Sequence, residues 1–85
     1  MTESRASAEF WSLYGTLPLA TRRAADKQFV RFCQDPGHPS LHFKQVGEFW
    51  SVRVTGDCRA LAWREKSVFY WFWIGNHDEY ERLIG

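Results

Sequence analysis

The stretch VFYWFWI, residues 68–74, contains seven consecutive apolar or aromatic residues. A strand that alternates apolar and polar residues buries one face, whereas a continuous apolar run is typical of a strand that is buried on both faces. Gly75 and Asn76 end the run, and the polar residues Arg64-Glu65-Lys66 precede it as a turn. We therefore expect a central strand with other elements packed against both of its faces.

The residues upstream of this stretch predict three further strands joined by short turns. From residue 41 onward the pattern alternates, with Leu41 and Phe43 in one set and His42 and Lys44 in the other. Thr55-Gly56-Asp57 is a typical tight connection, so successive strands are expected to run antiparallel as a meander. The predicted strands begin at residues 41, 49, 58 and 67.

The first half of the chain predicts two helices. Aromatic residues recur at spacings of three and four within residues 7–14, and Gly15 ends this first helix. A second helix restarts at Thr16-Leu17-Pro18 and ends at Asp35-Pro36-Gly37, where proline and glycine interrupt it. The predicted apolar stripe of the second helix consists of Leu17, Thr21, Ala25, Phe29, Phe32 and Cys33.

The two ends of the chain complete the predicted layout. Residues 77–84 can form a short C-terminal helix, and residues 2–6 are either frayed or a short edge strand. The fold class is therefore α+β: two N-terminal helices packed on one face of a small antiparallel sheet, plus a short C-terminal helix. The other face of the sheet is left free to form a site.

Length and composition limit the classes of function. The 85 residues, of which 45% are hydrophobic and 18% aromatic, suffice for one domain over residues 1–85. The formal net charge of +1 excludes a strongly basic protein that holds nucleic acid by bulk charge. Neither a signal peptide nor an apolar run of the ~18 residues that a membrane helix needs is found. We expect a soluble, cytoplasmic protein.

Metal and cofactor motifs are not found in the sequence. Cys33 and Cys58 do not form a CxxC pair, and their apolar surroundings are typical of buried thiols. His38 and His42 lie four residues apart, but Pro39 prevents them from sharing a helical face as metal ligands. We expect no metal and no cofactor.

Arg53 and Arg59 are the first candidate site residues, because they flank the Thr55-Gly56-Asp57 turn on adjacent predicted strands. Two guanidinium groups that face one way repel each other unless an anion lies between them, and their planar geometry suits phosphate. The alternative is that each arginine pairs with a carboxylate on the hairpin surface. The carboxylates within reach are Glu48, Asp57 and Glu65.

His77 and Tyr80 are the second candidate. His77 follows the break after the last strand, and Tyr80 lies three residues later, on the same side of any helical turn. Histidine can take or give a proton near neutral pH. The alternatives are a capping or surface histidine and a core tyrosine, and the residues alone leave them open.

Basic and aromatic side chains of the sheet are further candidates. Lys44 and His42 are predicted to share one strand face and to border the same surface as the arginines. Tryptophan rings can stack on nucleobases, although most of these rings are expected in the core. The tryptophans of the predicted sheet are Trp50, Trp63, Trp71 and Trp73.

Four short motifs follow one another along the chain. They are Asp35-Pro36-Gly37-His38-Pro39-Ser40-Leu41, Trp50-Ser51-Val52-Arg53-Val54, Cys58-Arg59-Ala60-Leu61 and Trp73-Ile74-Gly75-Asn76-His77-Asp78-Glu79-Tyr80. In their order and spacing they resemble the RelE/ParE superfamily of toxins from type II toxin-antitoxin systems. The resemblance covers roughly residues 10–83.

The resemblance implies a ribosome-dependent endoribonuclease that cuts messenger RNA in the decoding site. The ribose 2′-hydroxyl would attack the adjacent phosphate without a metal and leave a cyclic phosphate and a 5′-hydroxyl. By the same resemblance, Arg53 and Arg59 hold the scissile phosphate, and His77 and Tyr80 are the acid-base group and its neighbour. Lys44 and His42 are assigned to substrate binding.

The superfamily also contains toxins that poison gyrase. A non-enzymatic toxin that binds such a protein target is therefore the alternative, although toxins of that branch generally lack so complete a set of residues. Both hypotheses imply a cognate antitoxin, and the first adds the ribosome and messenger RNA as partners. The general base stays open, because some members carry a carboxylate near residues 44–51, where this chain has Glu48 beside a turn.

Overall fold

The computed structural model describes residues 3–84 and confirms the α+β class. No helix within that range is both long and apolar enough to cross a membrane. A short 3-10 helix, Pro39–Leu41, follows the second α-helix. The elements are β1 (Glu3–Ala6), α1 (Ala8–Tyr14), α2 (Leu19–Gln34), β2 (Lys44–Val46), β3 (Phe49–Arg53), β4 (Cys58–Glu65), β5 (Val68–Asn76) and α3 (His77–Ile84).

The five strands form one sheet in the order β1-β5-β4-β3-β2. Strands β2 to β5 are antiparallel neighbours, as the meander prediction requires. The prediction of a purely antiparallel sheet is wrong, because β1 pairs with β5 in parallel, with Glu3 opposite Val68 and Ala6 opposite Trp71. The N-terminal segment is thus an edge strand over residues 3–6, and Thr2 lies outside the described residues.

Local hydrogen bonds explain where the first helix begins. The Ser7 amide donates to Trp71 O at 2.9 Å, which extends the pairing of the edge strand by one residue. The Ser7 hydroxyl then accepts from the Phe10 amide at 3.1 Å and caps α1. One serine therefore ends β1 and starts α1.

The main core lies between the sheet and the helices α1 and α2. Phe32 is 1% exposed and is its centre. Its ring makes edge contacts with Phe43, Phe69 and Trp71 at centroid distances of 4.9, 5.5 and 5.2 Å. Such packing fixes α2 across the middle of the sheet.

The predicted stripe of α2 is partly wrong. Phe29 is 48% exposed, and Gln28 is buried in its place. The Gln28 amide nitrogen donates to Ser40 O at 3.1 Å and to Arg53 O at 2.9 Å, so the buried polar group is satisfied. Gln28 thereby links the helix layer to the end of β3. The helix itself begins at Leu19, with Pro18 at its N-cap.

Strand β5 is an inner strand, flanked by β1 and β4, and contains all seven residues of the VFYWFWI stretch, each of them buried or half-buried. A β-bulge separates the pairs Leu61–Trp73 and Ala62–Trp71, so Phe72 has no partner on β4. Trp71 therefore faces the helix layer, whereas Trp73 packs with Leu61 and Tyr80 on the opposite face. We call the face that contacts α3 the outer face. The helix layer covers one face of the strand, whereas α3 covers the outer face only around Trp73, so the predicted burial of both faces holds for that part of the strand alone.

Candidate functional site

Arg53 and Arg59 are directly opposite each other at the end of the β3–β4 hairpin. In the same register Lys44 faces Ser51, and Leu61 faces both Ser51 and Trp73. Because side chains alternate along a strand, Lys44, Arg53 and Arg59 all belong to the outer face. Three cationic residues of different strands are thus on one side of the sheet.

Both guanidinium groups lie against the hairpin loop at Gly56. Arg59 Nη1 donates to Thr55 O at 2.6 Å, to Cys58 O at 3.1 Å and to Gly56 O at 3.3 Å. The Arg53 guanidinium group lies close to the same residue, since a Cβ atom on Gly56 would be 3.7 Å from Arg53 Nη2, an ordinary contact distance. The two arginines therefore converge on one loop.

The structure does not pair these arginines with carboxylates. Within residues 3–84 the ion pairs are Arg5–Glu3 and His77–Glu81, and neither Arg53 nor Arg59 takes part in one. The Arg53 side chain also has no hydrogen-bond acceptor in this part of the chain. Two adjacent guanidinium groups without a carboxylate partner have the charge and planar geometry that can bind an anion such as phosphate.

His77 is held beside the same loop by its backbone. It is the first residue of α3, and its amide donates to Asp57 O at 2.6 Å. Asn76 caps the helix, since its side-chain oxygen accepts from the Glu79 amide at 2.9 Å. The imidazole Nε2 lies 3.2 Å from Glu81 Oε1, and the side chain is 40% exposed. A partly exposed, oriented histidine thus lies next to the arginine loop.

Tyr80 has a different environment from His77. It is 4% exposed and packs with Leu61 and Trp73 on the outer face. Its ring centroid lies 5.8 Å from that of His77. Tyr80 therefore anchors α3 to the sheet and supports the histidine ring.

The prediction that His42 and Lys44 share a strand face is wrong. His42 has a left-handed backbone, with φ of 45°, and follows the 3-10 helix, so it lies before the strand begins. Lys44 is the first residue of β2 and is exposed. Only Lys44 is therefore placed on the outer face by the strand register.

Glu48 lies in the turn between β2 and β3, at the opposite end of β3 from Arg53. Five residues of extended strand separate the two positions by about 16 Å. This distance places the Glu48 carboxylate away from the arginine loop. The site geometry therefore does not support Glu48 as the general base.

Two residues position the site in ways that the sequence did not predict: Gln28 was not considered, and Gly75, expected to end the last strand, lies inside β5, which continues to Asn76. The Gln28 side-chain amide donates a hydrogen bond to the Arg53 carbonyl from the helix layer. The sequence signal for its burial was its position four residues before Phe32, on the same side of α2. Gly75 is the strand partner of Arg59, and a Cβ there would overlap the Trp73 indole. Trp73 thus lies directly over the backbone next to Arg59, which only glycine permits.

Cys58 precedes Arg59 and is 4% exposed. Burial raises the pKa of its thiol to about 11, although the Arg59 charge opposes part of the effect. At neutral pH the thiol is protonated, so it does not act as a nucleophile in this site.

The raised pKa of Cys58 predicts a loss of stability at alkaline pH. The folded state retains a proton that the unfolded chain releases near pH 9, so this contribution is complete below pH 9 and is lost as the pH rises towards 11. We expect the free energy of unfolding to fall by about 3 kcal/mol over this range. Urea unfolding of wild type and Cys58→Ala at several pH values measures this fall in the free energy of unfolding. Parallel curves for the two proteins would contradict the prediction.

A cavity of about 290 Å³ lies between the helix layer and the sheet. Its walls are mostly apolar and include Phe10, Phe32 and Trp71. It therefore lies on the opposite side of the sheet from Arg53 and Arg59. The candidate site residues therefore lie on the outer face, away from this cavity.

Solved structures share this arrangement of helices and strands. A RelE–RelB complex from Pyrococcus horikoshii matches with a TM-score of 0.69 at 13% identity, over 88% of this chain and 93% of that chain. The fold is that of RelE toxins. A RelB–RelE antitoxin-toxin complex from Methanococcus jannaschii supports the RelE-like fold with a TM-score of 0.70 at 12% identity, over 94% of this chain and 98% of that chain.

A bacterial toxin has the same RelE-like architecture. A copper-bound mutant toxin from Helicobacter pylori gives a TM-score of 0.71 at 13% identity, over 93% of this chain and 98% of that chain. No protein-family model and no curated protein sequence matches the chain. The RelE-like fold is therefore evident from the three-dimensional arrangement at very low sequence identity.

Proposed function

We propose that this protein is the toxin of a toxin-antitoxin system and cleaves messenger RNA on the ribosome. The observation that carries the proposal is the convergence of Arg53 and Arg59 on Gly56, with His77 bonded through its amide to the same loop. This arrangement offers two phosphate ligands and one proton-transfer group. The RelE-like fold of the chain supports the same conclusion.

In the proposed reaction the ribose 2′-oxygen forms a bond to the adjacent phosphorus as the bond from phosphorus to the 5′-oxygen breaks. The products are a 2′,3′-cyclic phosphate and a 5′-hydroxyl. Arg53 and Arg59 stabilise the additional negative charge on the phosphate oxygens. The 2′-hydroxyl loses a proton and the 5′-oxygen gains one, and His77 transfers these protons by taking up the first and returning one to the leaving oxygen. Glu81 orients the His77 ring through the contact to Nε2. Lys44, exposed on the same face, contacts the RNA backbone.

A cognate antitoxin is the partner that the proposal requires. Two of the similar structures are complexes of RelE with RelB, so the same fold is found together with an antitoxin. By covering the outer face, such a protein would block access to Arg53, Arg59 and His77. Because the proposed substrate is messenger RNA on the ribosome, the proposed site of action is the cytoplasm.

The test is primer extension on a defined transcript. We expect wild-type protein to cleave the transcript during in vitro translation and to leave naked RNA intact. The same reactions without toxin are the control. Intact transcripts in both settings would contradict the proposal, and inhibition of DNA supercoiling by the same preparation would then identify a gyrase-directed toxin.

A further inference from the structure

We propose that four aromatic residues of the outer face form a stacking surface for the bases of single-stranded RNA. They are Phe49, Trp63, Tyr70 and Phe72, which we call the aromatic strip. The inference rests on the proposed function, because it adds a base-binding surface beside the proposed phosphate site. Aromatic rings on an open sheet face bind unpaired bases by stacking in this way.

The four rings are in continuous contact across three strands. Trp63 and Tyr70 are strand partners whose rings stack at 5.4 Å and 14°. Phe72 lies 5.5 Å from Trp63 and 5.1 Å from Phe49. The bulge in β5 provides this extra ring, since it leaves Phe72 without a partner on β4.

The aromatic strip is more exposed than the buried rings of β5 on the opposite face. Its four members are only partly buried, whereas Phe69 and Trp71 on the opposite face are 8% and 4% exposed. Tyr80 of α3 covers Leu61 and Trp73 next to the strip. Trp63 and Tyr70 belong to neither buried core, so they offer ring surface that the fold itself does not require.

Three cationic residues of the outer face favour a nucleic acid as the ligand, although the charged group in contact with the aromatic strip itself is the Glu65 carboxylate. Lys44, Arg53 and Arg59 lie on the same face, and Trp63 is four residues along β4 from Arg59, about 13 Å in an extended strand. The carboxylate of Glu65 accepts from Trp63 Nε1 at 3.3 Å and so holds the indole in place. An RNA strand whose phosphate lies at the arginines thus has neighbouring bases within reach of the strip.

Stacking also compensates for the low charge of this chain. Its net charge of +1 provides little long-range attraction for RNA. Each base that stacks on an aromatic side chain contributes about 1–3 kcal/mol without a requirement for sequence. The strip therefore supplies affinity that bulk charge does not.

The test measures binding without cleavage. Fluorescence anisotropy with a labelled single-stranded RNA whose 2′-hydroxyls are methylated gives the Kd in the absence of ribosomes. We expect Trp63→Ala to weaken binding by about 5- to 100-fold, and Trp63→Phe to retain most of the affinity. Trp11→Ala is the matched control, because Trp11 is 55% exposed on α1 in the opposite layer, and it should bind as wild type does.

Tyr70→Leu keeps an apolar side chain and removes the ring, so it tests the same surface if Trp63→Ala does not fold. Wild-type affinity in a folded Trp63→Ala or Tyr70→Leu variant would overturn the inference. The inference is also overturned if the variants of the aromatic strip bind RNA as wild type does but no longer bind a protein partner. Absence of ribosome-dependent cleavage by wild type would refute the proposed function alone, whereas the Kd values decide the role of the aromatic strip.

Discussion

Arg59→Ala is expected to lower the rate of ribosome-dependent cleavage by about 100- to 1000-fold, the usual effect of removing one preorganised donor to a transition-state oxyanion. Arg59 lies opposite Arg53 and is oriented by three backbone carbonyls of its own loop. Its charge is therefore in place before substrate arrives. Single-turnover primer extension on programmed ribosomes measures the rate.

Two further variants make the Arg59 experiment specific. Arg59→Lys retains the charge but loses the planar group, so we expect an intermediate rate. Arg23→Ala removes an exposed arginine from α2 on the other side of the molecule and should cleave as wild type does. If Arg23→Ala and Arg59→Ala lose activity equally, the effect comes from total charge and the proposed phosphate site is refuted.

His77→Gln is expected to lower the same rate by about 100- to 10,000-fold, because glutamine can form hydrogen bonds but cannot transfer a proton at neutral pH. The backbone contact from position 77 to Asp57 O does not involve the side chain, so α3 should stay docked. The measurement is the single-turnover cleavage rate of wild type and variant at neutral pH.

Glu81→Gln separates orientation from proton transfer. It removes the carboxylate that lies 3.2 Å from His77 Nε2 and leaves the imidazole intact. We expect a smaller loss of the cleavage rate than for His77→Gln. Full activity of a folded His77→Gln protein would show that another group transfers the proton.

Periodicity alone predicted most of the layout. The apolar run 68–74 indicated an inner strand, and the structure has it between two neighbours. The edge strand β1 was left undecided, because four residues that pair with a segment at the other end of the chain have no local signal. The bulge that places Phe72 on the outer face was also not predictable, since it depends on the register of β4 against β5.

The candidate site was predictable where residues flank a turn. Arg53 and Arg59 were expected to be close because a tight hairpin brings its two ends together, and they are strand partners. His42 was misplaced because the strand pattern was extended over a residue that the 3-10 helix holds in a left-handed conformation. The link from Gln28 to Arg53 O joins positions far apart in sequence, and only tertiary structure reveals it.

The parallel pairing of β1 with β5 constrains when the protein can fold during its own synthesis. Residues 3–6 leave the ribosome well before their partner strand, since Glu3 is opposite Val68, 65 positions later in the sequence. Contacts between such distant segments form late and slowly. β5 also pairs with β4, beside which α3 packs. The complete sheet, and the arrangement of Arg59 and His77 that depends on it, can therefore form only after β5 has left the ribosome.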